Sequence, residues 1–144
     1  MSAFSNYLEL KIAQWTTNAA AMGTAPTNLY IGLFSAEPAE DGTGGTEVTA
    51  TLRGSADRPI ITLAAATVSN VTTLKNAAAN FVFVSSAVGA ATVSHFAIYD
   101  TITGNTPGTN NMLYKGAVNS GTPKSVGVGD EVRFNQNQFV ITID

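Results

Sequence analysis

The sequence predicts a mainly β protein: an antiparallel β-sandwich of jelly-roll-like or related barrel form, with one amphipathic α-helix at its N-terminus. Three observations predict this fold. Apolar residues near the N-terminus recur at helical spacing, short β-rich runs follow with turn signals every eight to twelve residues or so, and no further helical pattern alternates with them. The 144 residues suit one domain, 1–144, with a helix or arm at 1–23 and a sandwich at 27–144.

The N-terminal helix is predicted over residues 2–20. Ser2 or Ser5 can cap its start, because a serine hydroxyl accepts a backbone N–H bond at that position. Residues 19–22 can prolong the helix, and Gly23 then acts as a left-handed stop. The stripe along one face has spacings of three and four and consists of Phe4, Tyr7, Leu8, Ile12 and Trp15.

Ten strands are predicted after the helix, and the first is central because both of its faces are apolar. They cover residues 29–34, 47–50, 58–68, 72–75, 80–85, 92–99, 112–118, 124–128, 130–135 and 138–143. Residues 47–50 form a short edge strand. Turns or loops are expected at 37–45, 100–109 and 135–138, and Gly127 to Asp130 carries a hairpin turn signal.

Composition excludes several classes of protein. The net charge is −3 and the seven Lys and Arg residues are scattered, so the basic footprint of a nucleic-acid binder is absent from the sequence. There is no cysteine, which excludes disulfides and thiolate metal sites. No apolar run approaches the ~18 residues of a membrane span, and the N-terminus does not match a signal peptide. Only 12% of residues are charged, which suits contact with neighbouring chains.

The single histidine, His95, is the residue around which a nucleophile–His–acid arrangement would be built. Asp100 lies five residues away, beyond the strand end, and the Gly-x-Ser-x-Gly elbow of many hydrolases does not occur. We therefore interpret His95 as a packed, hydrogen-bonded strand residue. We expect no catalytic residue, and hence no enzyme.

The loop before the second predicted strand is acidic, with Glu37, Glu40 and Asp41 followed by Glu47. Calcium binds about six to eight oxygen ligands, which an acidic loop can supply. The spacing of these acids does not match a calcium-binding loop, so we interpret them as solvated. The glycine-rich stretch 42–46 lacks the Gly-Lys-Ser/Thr ending of a phosphate-binding loop and is interpreted as a flexible loop. We expect no cofactor and no metal ligand.

The helix and first strand also offer candidate partner contacts: Phe4, Tyr7, Leu8, Trp15 and Tyr30. Amphipathic helices dock into grooves of other subunits, and large aromatic side chains anchor such interfaces. The alternative is that the apolar stripe covers the domain's own core, as most amphipathic helices do. Both interpretations stay open at this point.

Several short stretches occur in an order that resembles small virion proteins of tailed bacteriophages. They are residues 5–9 (SNYLE), 29–38 (LYIGLFSAEP), 44–48 (GGTEV), 93–100 (VSHFAIYD) with Gly104 and Asn105, 128–130 (VGD) and 141–144 (ITID). The chain departs from the family's pattern at residues 135–138, where relatives have a glycine turn, and at 51–56, where they are richer in aromatic residues.

This resemblance implies a virion component. The first expectation is a capsid decoration (cement) protein on the outer surface of the capsid, where a dimer or trimer bridges subunits of the major capsid protein. The alternative is a tail- or fibre-associated structural or adaptor protein, and a more remote one is a β-sandwich carbohydrate-active enzyme. The expected partners are the major capsid protein and further copies of this chain, with no nucleic acid and no membrane.

Overall fold

The computed structural model describes residues 3–77, 79–106 and 111–143, and within them strand makes up 38% and helix 14%. The helices are α1 (Asn6–Thr16) and α2 (Thr49–Arg53), with one 3-10 turn at Asn119–Gly121. The strands are β1 (Leu29–Ala36), β2 (Thr46–Glu47), β3 (Ile60–Ile61), β4 (Ala64–Val68), β5 (Val71–Lys75), β6 (Phe81–Val84), β7 (Ala91–Val93), β8 (His95–Tyr99), β9 (Met112–Ala117), β10 (Lys124–Val126), β11 (Val132–Phe134) and β12 (Val140–Ile143).

The strands pair antiparallel throughout the described part of the chain. The largest sheet has the order β2-β1-β8-β9, with β3 also paired to β1. A second sheet has the order β12-β5-β4, and two strand pairs, β10-β7 and β11-β6, complete the set. The predicted antiparallel, mainly β class with an N-terminal helix is therefore confirmed, as is the central position of β1. In the part of the chain that the structure describes, the sheets do not close into a barrel.

The main core lies on one face of β1 and β8. Ile31 pairs with Ile98 and Leu33 with Phe96, and all four side chains are buried against β3, β6, β12 and α2. The opposite face of the same strands holds a smaller cluster formed by Phe34, Ala97, Tyr99 and Met112. Because both faces are covered, β1 and β8 are apolar on both sides instead of alternating.

Helix α1 begins as predicted and ends earlier than predicted. Ser5 caps it, with its hydroxyl accepting from the Leu8 N–H at 3.3 Å. Its last residue is Thr16 and not residue 20, because Asn18 adopts a left-handed φ of 56°. The Asn18 and Ala19 N–H groups then donate back to the Trp15 and Gln14 carbonyls, which is a Schellman stop. Ser2, the other capping candidate, lies outside the described residues.

Two predicted strands are divided in the structure because their halves join different partners. Residues 58–68 form β3, which pairs with β1, and β4, which pairs with β5. Residues 92–99 form β7 and β8, separated at Ser94, where β7 turns away to pair with β10. The predicted hairpin at Gly127–Asp130 is a turn, but β10 and β11 do not pair with each other across it, so that prediction was wrong.

Residues 47–50 were predicted as a strand, and that prediction was wrong beyond Glu47. The chain turns into α2 at Thr49, because Leu52 is fully buried in the main core and Gly54 stops the helix with a φ of 68°. Part of the predicted turn at 100–109, residues 107–110, lies outside the described residues. No helix in residues 3–77, 79–106 and 111–143 is long and apolar enough to cross a membrane.

Candidate functional site

A buried ionic cluster lies on the second face of the central sheet. Arg58 is 4% exposed, and its Nε and Nη2 donate to the two carboxylate oxygens of Glu47 at 2.9 and 2.8 Å. Its Nη1 donates to the Gly104 carbonyl at 2.8 Å, and the guanidinium stacks 3.5 Å from the centroid of the Tyr99 ring. Gly32 leaves room for this pair, because a Cβ there would lie 2.6 Å from a Glu47 oxygen.

A second buried cation, Lys115, holds the acidic loop against the sheet. Its Nζ lies 2.9 Å from a Glu37 carboxylate oxygen and 3.0 Å from the Pro38 carbonyl. The hydrogen bond from Lys115 holds the pKa of Glu37 below its usual range, against an opposing effect of burial. Two of the four acids interpreted as solvated thus neutralise buried cations, which corrects that interpretation.

The remaining acids of the loop have local roles. Asp41 accepts from the backbone N–H and the hydroxyl of Thr43 at 2.8 and 2.6 Å, as in a tight turn. The backbone carbonyl of Glu40 accepts the Asn6 N–H at 2.9 Å, which ties the loop to the start of α1. Within the described ranges, no group of three His, Cys, Asp or Glu side chains could hold a metal ion.

His95 is partly buried and lies between a serine hydroxyl and a carboxylate. Its Nδ1 lies 2.8 Å from the Ser94 hydroxyl, and its Nε2 lies 3.9 Å from a Glu37 oxygen. Ser94 is 3% exposed and donates to the Ser35 carbonyl, so its oxygen is closed to a substrate. Asp100 is not involved, because its carboxylate accepts from the backbone and side chain of Asn111 at 2.7 and 2.8 Å.

The N-terminal segment is attached to β9 before the helix begins. The Ser5 N–H donates to the Leu113 carbonyl and the Lys115 N–H to the Ala3 carbonyl, both at 3.0 Å. The Ser5 hydroxyl donates to the Met112 carbonyl, and Phe4 forms an isolated β-bridge to Tyr114 with ring centroids 5.7 Å apart. This segment acts as an added edge strand that covers β9.

The five predicted contact residues lie in different settings. Phe4, Tyr7 and Leu8 are half-buried against the protein's own sheet, and Tyr30 is half-buried opposite Tyr99 in the β1–β8 ladder. Tyr7 and Leu8 line a groove of about 670 Å³ whose other walls include Leu63, Leu74 and the segment 22–27. Trp15 belongs to the same helical stripe but is 60% exposed, so the last turn of α1 leaves its apolar face uncovered.

The sequence did not single out another exposed apolar surface, at the hairpin of β4 and β5. All five residues of β4 are exposed, and within the described structure β4 pairs only with β5. Val68 and Val71, next to the turn, are 71% and 41% exposed. An apolar edge strand without proline or charge is a surface that can pair with another chain.

The comparison with protein-family models gives a match over residues 3–142, to the family described as Podophage GP4 fiber I protein gp80. The chain belongs to this family. The match spans both the helix and the strands, and it confirms the predicted resemblance to phage virion structural proteins. No curated protein matches the chain. Membership of this family implies that the protein is located in the virion.

Proposed function

We propose that this chain is a fibre-associated structural or adaptor protein of the phage virion. The observation that carries the proposal is the match of nearly the whole chain to a family described as a fibre protein. This favours the alternative over the expected capsid decoration role, for which the family match offers no support. The proposed location is therefore the tail and its fibres, not the outer surface of the capsid.

The geometry supports a rigid module that joins other proteins. Arg58 and Lys115 hold the loops around Gly104 and Pro38 to the central sheet by buried ionic contacts. Contact surfaces remain outside this rigid body, notably Trp15 on α1 and the free edge of β4. Further copies of this chain and neighbouring tail proteins are the proposed partners, in place of the major capsid protein.

The deciding experiment is the copy number in purified virions. Quantitative mass spectrometry with isotope-labelled peptides, normalised to the major capsid protein and to a tail protein of the same particle, measures it directly. A fibre-associated protein is present in a few dozen copies or fewer, whereas a capsid decoration protein is present in hundreds. Gold-labelled antibody should bind at the tail, and uniform labelling of the head with hundreds of copies would overturn the proposal.

We also propose that the role is not enzymatic. The support is that the Ser94 hydroxyl next to His95 is buried and that Asp100, the acid expected to assist His95, is bound by Asn111. The His95→Ala variant should assemble into virions like the wild type, and the wild type should not hydrolyse host surface polysaccharide. Polysaccharide cleavage that His95→Ala abolishes would contradict this proposal.

A further inference from the structure

A polar cavity of about 620 Å³ lies between the end of α2 and the β6–β11 pair. No residue of α1 lines it, and neither does any residue of the buried ionic cluster. Its polar lining consists of Arg53, Ser85, Ser86, Glu131 and Arg133. Two of the protein's three arginines therefore face one cavity, in a chain whose net charge is −3.

Arg53 has no carboxylate partner among the described residues and is held in place by other contacts. Its Nη1 donates to the Phe83 carbonyl at 2.8 Å, and its guanidinium lies 5.8 Å from the centroid of the Phe83 ring. The other two arginines, Arg58 and Arg133, each pair with a glutamate. The Arg53 Nε–H is buried and has no acceptor among the described residues, and a buried donor left unpaired is unfavourable.

The strand beside Arg53 is irregular at the point where the arginine binds. Val84 lies opposite Val132 and Val82 lies opposite Arg133, so Phe83 is left without an opposite residue. This extra residue is a β-bulge, and its carbonyl is the one that accepts from Arg53. Bulges re-aim groups locally and are frequent next to binding sites.

Arg133 adds a second, exposed guanidinium to the lining of the cavity. The Nε and Nη2 of Arg133 lie 2.6 and 3.2 Å from the two oxygens of Glu131. Over the whole lining, the charges of Arg53, Arg133 and Glu131 sum to +1. The hydroxyls of Ser85 and Ser86 add two donors, and neither has a hydrogen-bond partner within the described part of the chain.

We propose that this cavity binds an oxyanion, either a phosphate or a carboxylate group of a ligand. Arg53 donates from Nη2, since its Nη1 binds the Phe83 carbonyl and its Nε is buried. Ser85 and Ser86 donate their hydroxyls, and Arg133 supplies the second positive charge. Charge-assisted hydrogen bonds from a guanidinium suit both groups, because phosphate and carboxylate oxygens are anionic acceptors. This inference does not depend on the fibre role, since a module in either part of the virion would carry the same cavity.

The test uses NMR on the full chain, with inorganic phosphate and acetate as separate probes at constant ionic strength. Three arginines give at most three Nε–H signals, so the Arg53 signal can be followed directly. We expect a saturable shift with a dissociation constant on the order of 1 mM, because a few charge-assisted hydrogen bonds give binding of that strength. Comparison of the two probes tells whether the site prefers the tetrahedral or the planar oxyanion.

Four variants separate this proposal from non-specific attraction. Arg53→Gln should weaken binding about tenfold or more. Arg53→Lys should also weaken it, because the charge stays but the guanidinium that is held by the Phe83 carbonyl and presents Nη2 is lost. Glu131→Gln should strengthen binding by removing a competing carboxylate. Lys124→Gln, an equal charge change outside the cavity, should leave binding unchanged. If no saturable shift occurs, or if Lys124→Gln weakens binding as much as Arg53→Gln, the proposal is wrong.

Discussion

At the scale of single residues, two buried cations each pair with a carboxylate. Arg58 and Glu47 are joined by two hydrogen bonds, and Arg58 is almost completely buried. A buried ion pair adds little to the free energy of unfolding compared with apolar residues in its place. Removal of one member, however, leaves the other buried without its partner, which is strongly unfavourable. The free energy of unfolding should therefore depend strongly on each member.

Arg58→Ala should lower the free energy of unfolding by about 3 kcal/mol, because Glu47 loses both of its bonds from Arg58 and the Gly104 carbonyl loses its donor. Arg133→Ala is the matched control, since it breaks an ion pair whose two side chains are 47% and 41% exposed. That change should cost less than about 1 kcal/mol. Urea unfolding of both variants measures the difference, and equal effects would contradict the structural role of Arg58.

Gly32→Ala should destabilise the protein through the same ion pair. The new methyl group would lie 2.6 Å from a Glu47 oxygen and 3.2 Å from the Phe34 ring, so the carboxylate has to move away from Arg58. We expect a loss of about 1–3 kcal/mol. The loss of unfolding free energy in the double variant Gly32→Ala/Arg58→Ala should be smaller than the sum of the two single losses, because both changes act on the Arg58–Glu47 contact. Strict additivity in urea unfolding would show that Gly32 acts independently.

The Glu37–Lys115 contact predicts a dependence of stability on pH. The hydrogen bond from Lys115 lowers the pKa of Glu37 in the folded state below its ordinary 4.5. An acid with a lowered folded-state pKa stabilises the fold above its unfolded pKa, and that stabilisation is lost as the pH falls towards the folded-state pKa. The difference in unfolding free energy between the wild type and Glu37→Gln should therefore shrink as the pH falls below 4.5. A difference that does not change across this window would refute the assignment.

At the scale of elements, the stop of α1 depends on one left-handed residue. Asn18 tolerates a positive φ better than alanine does, and the Ala19 N–H that it positions donates to the Gln14 carbonyl at 2.8 Å. Asn18→Ala should therefore cost about 1 kcal/mol locally, whereas Asn18→Gly should not. Hydrogen exchange of the Ala19 amide should be several-fold faster in Asn18→Ala only. Equal exchange in both variants would show that the Schellman bonds do not need this residue.

Elements with their own local signals could be predicted from the sequence. The capping serine, the helical stripe, the central strand β1 and the strands at 71–75 and 140–143 each follow from spacing, burial pattern or turn residues. Helix α2 could not be predicted, because five residues are too few to show a helical period and its fold depends on burial of Leu52. The breaks at residue 94 and residues 62–63 depend on which strand each half joins, which is a property of the tertiary structure.

The candidate sites were still less predictable than the elements. Arg58 and Glu47 are eleven residues apart, and Lys115 and Glu37 are separated by 78, so neither pair has a sequence signature. The exposure of β4 could not be predicted, because the sequence pattern of residues 58–68 indicated one continuous strand. The helical stripe did single out Trp15, but its 60% exposure reflects how far α1 extends over the sheet.

At the scale of the whole molecule, deletion of the N-terminal helix is a poor test of its partner contacts. We expect deletion of residues 1–20 to weaken attachment or self-association. It also removes the backbone bonds between the segment around Ser5 and β9, and so exposes the edge of the central sheet. Loss of attachment after deletion could then reflect a damaged fold. A single exposed side chain gives a cleaner test.

Trp15→Ser should reduce incorporation of the protein into virions without changing its fold. The side chain is 60% exposed, so the change costs little stability, whereas loss of a buried aromatic anchor weakens an interface roughly 30-fold. Leu10→Ser is the matched control, because Leu10 is 56% exposed on the same helix but outside the stripe. Virions grown with each variant are compared by mass spectrometry, and thermal unfolding checks the fold. If Trp15→Ser is incorporated as well as Leu10→Ser, then Trp15 is not an anchor, and the exposed edge of β4 becomes the surface that has to carry the contact.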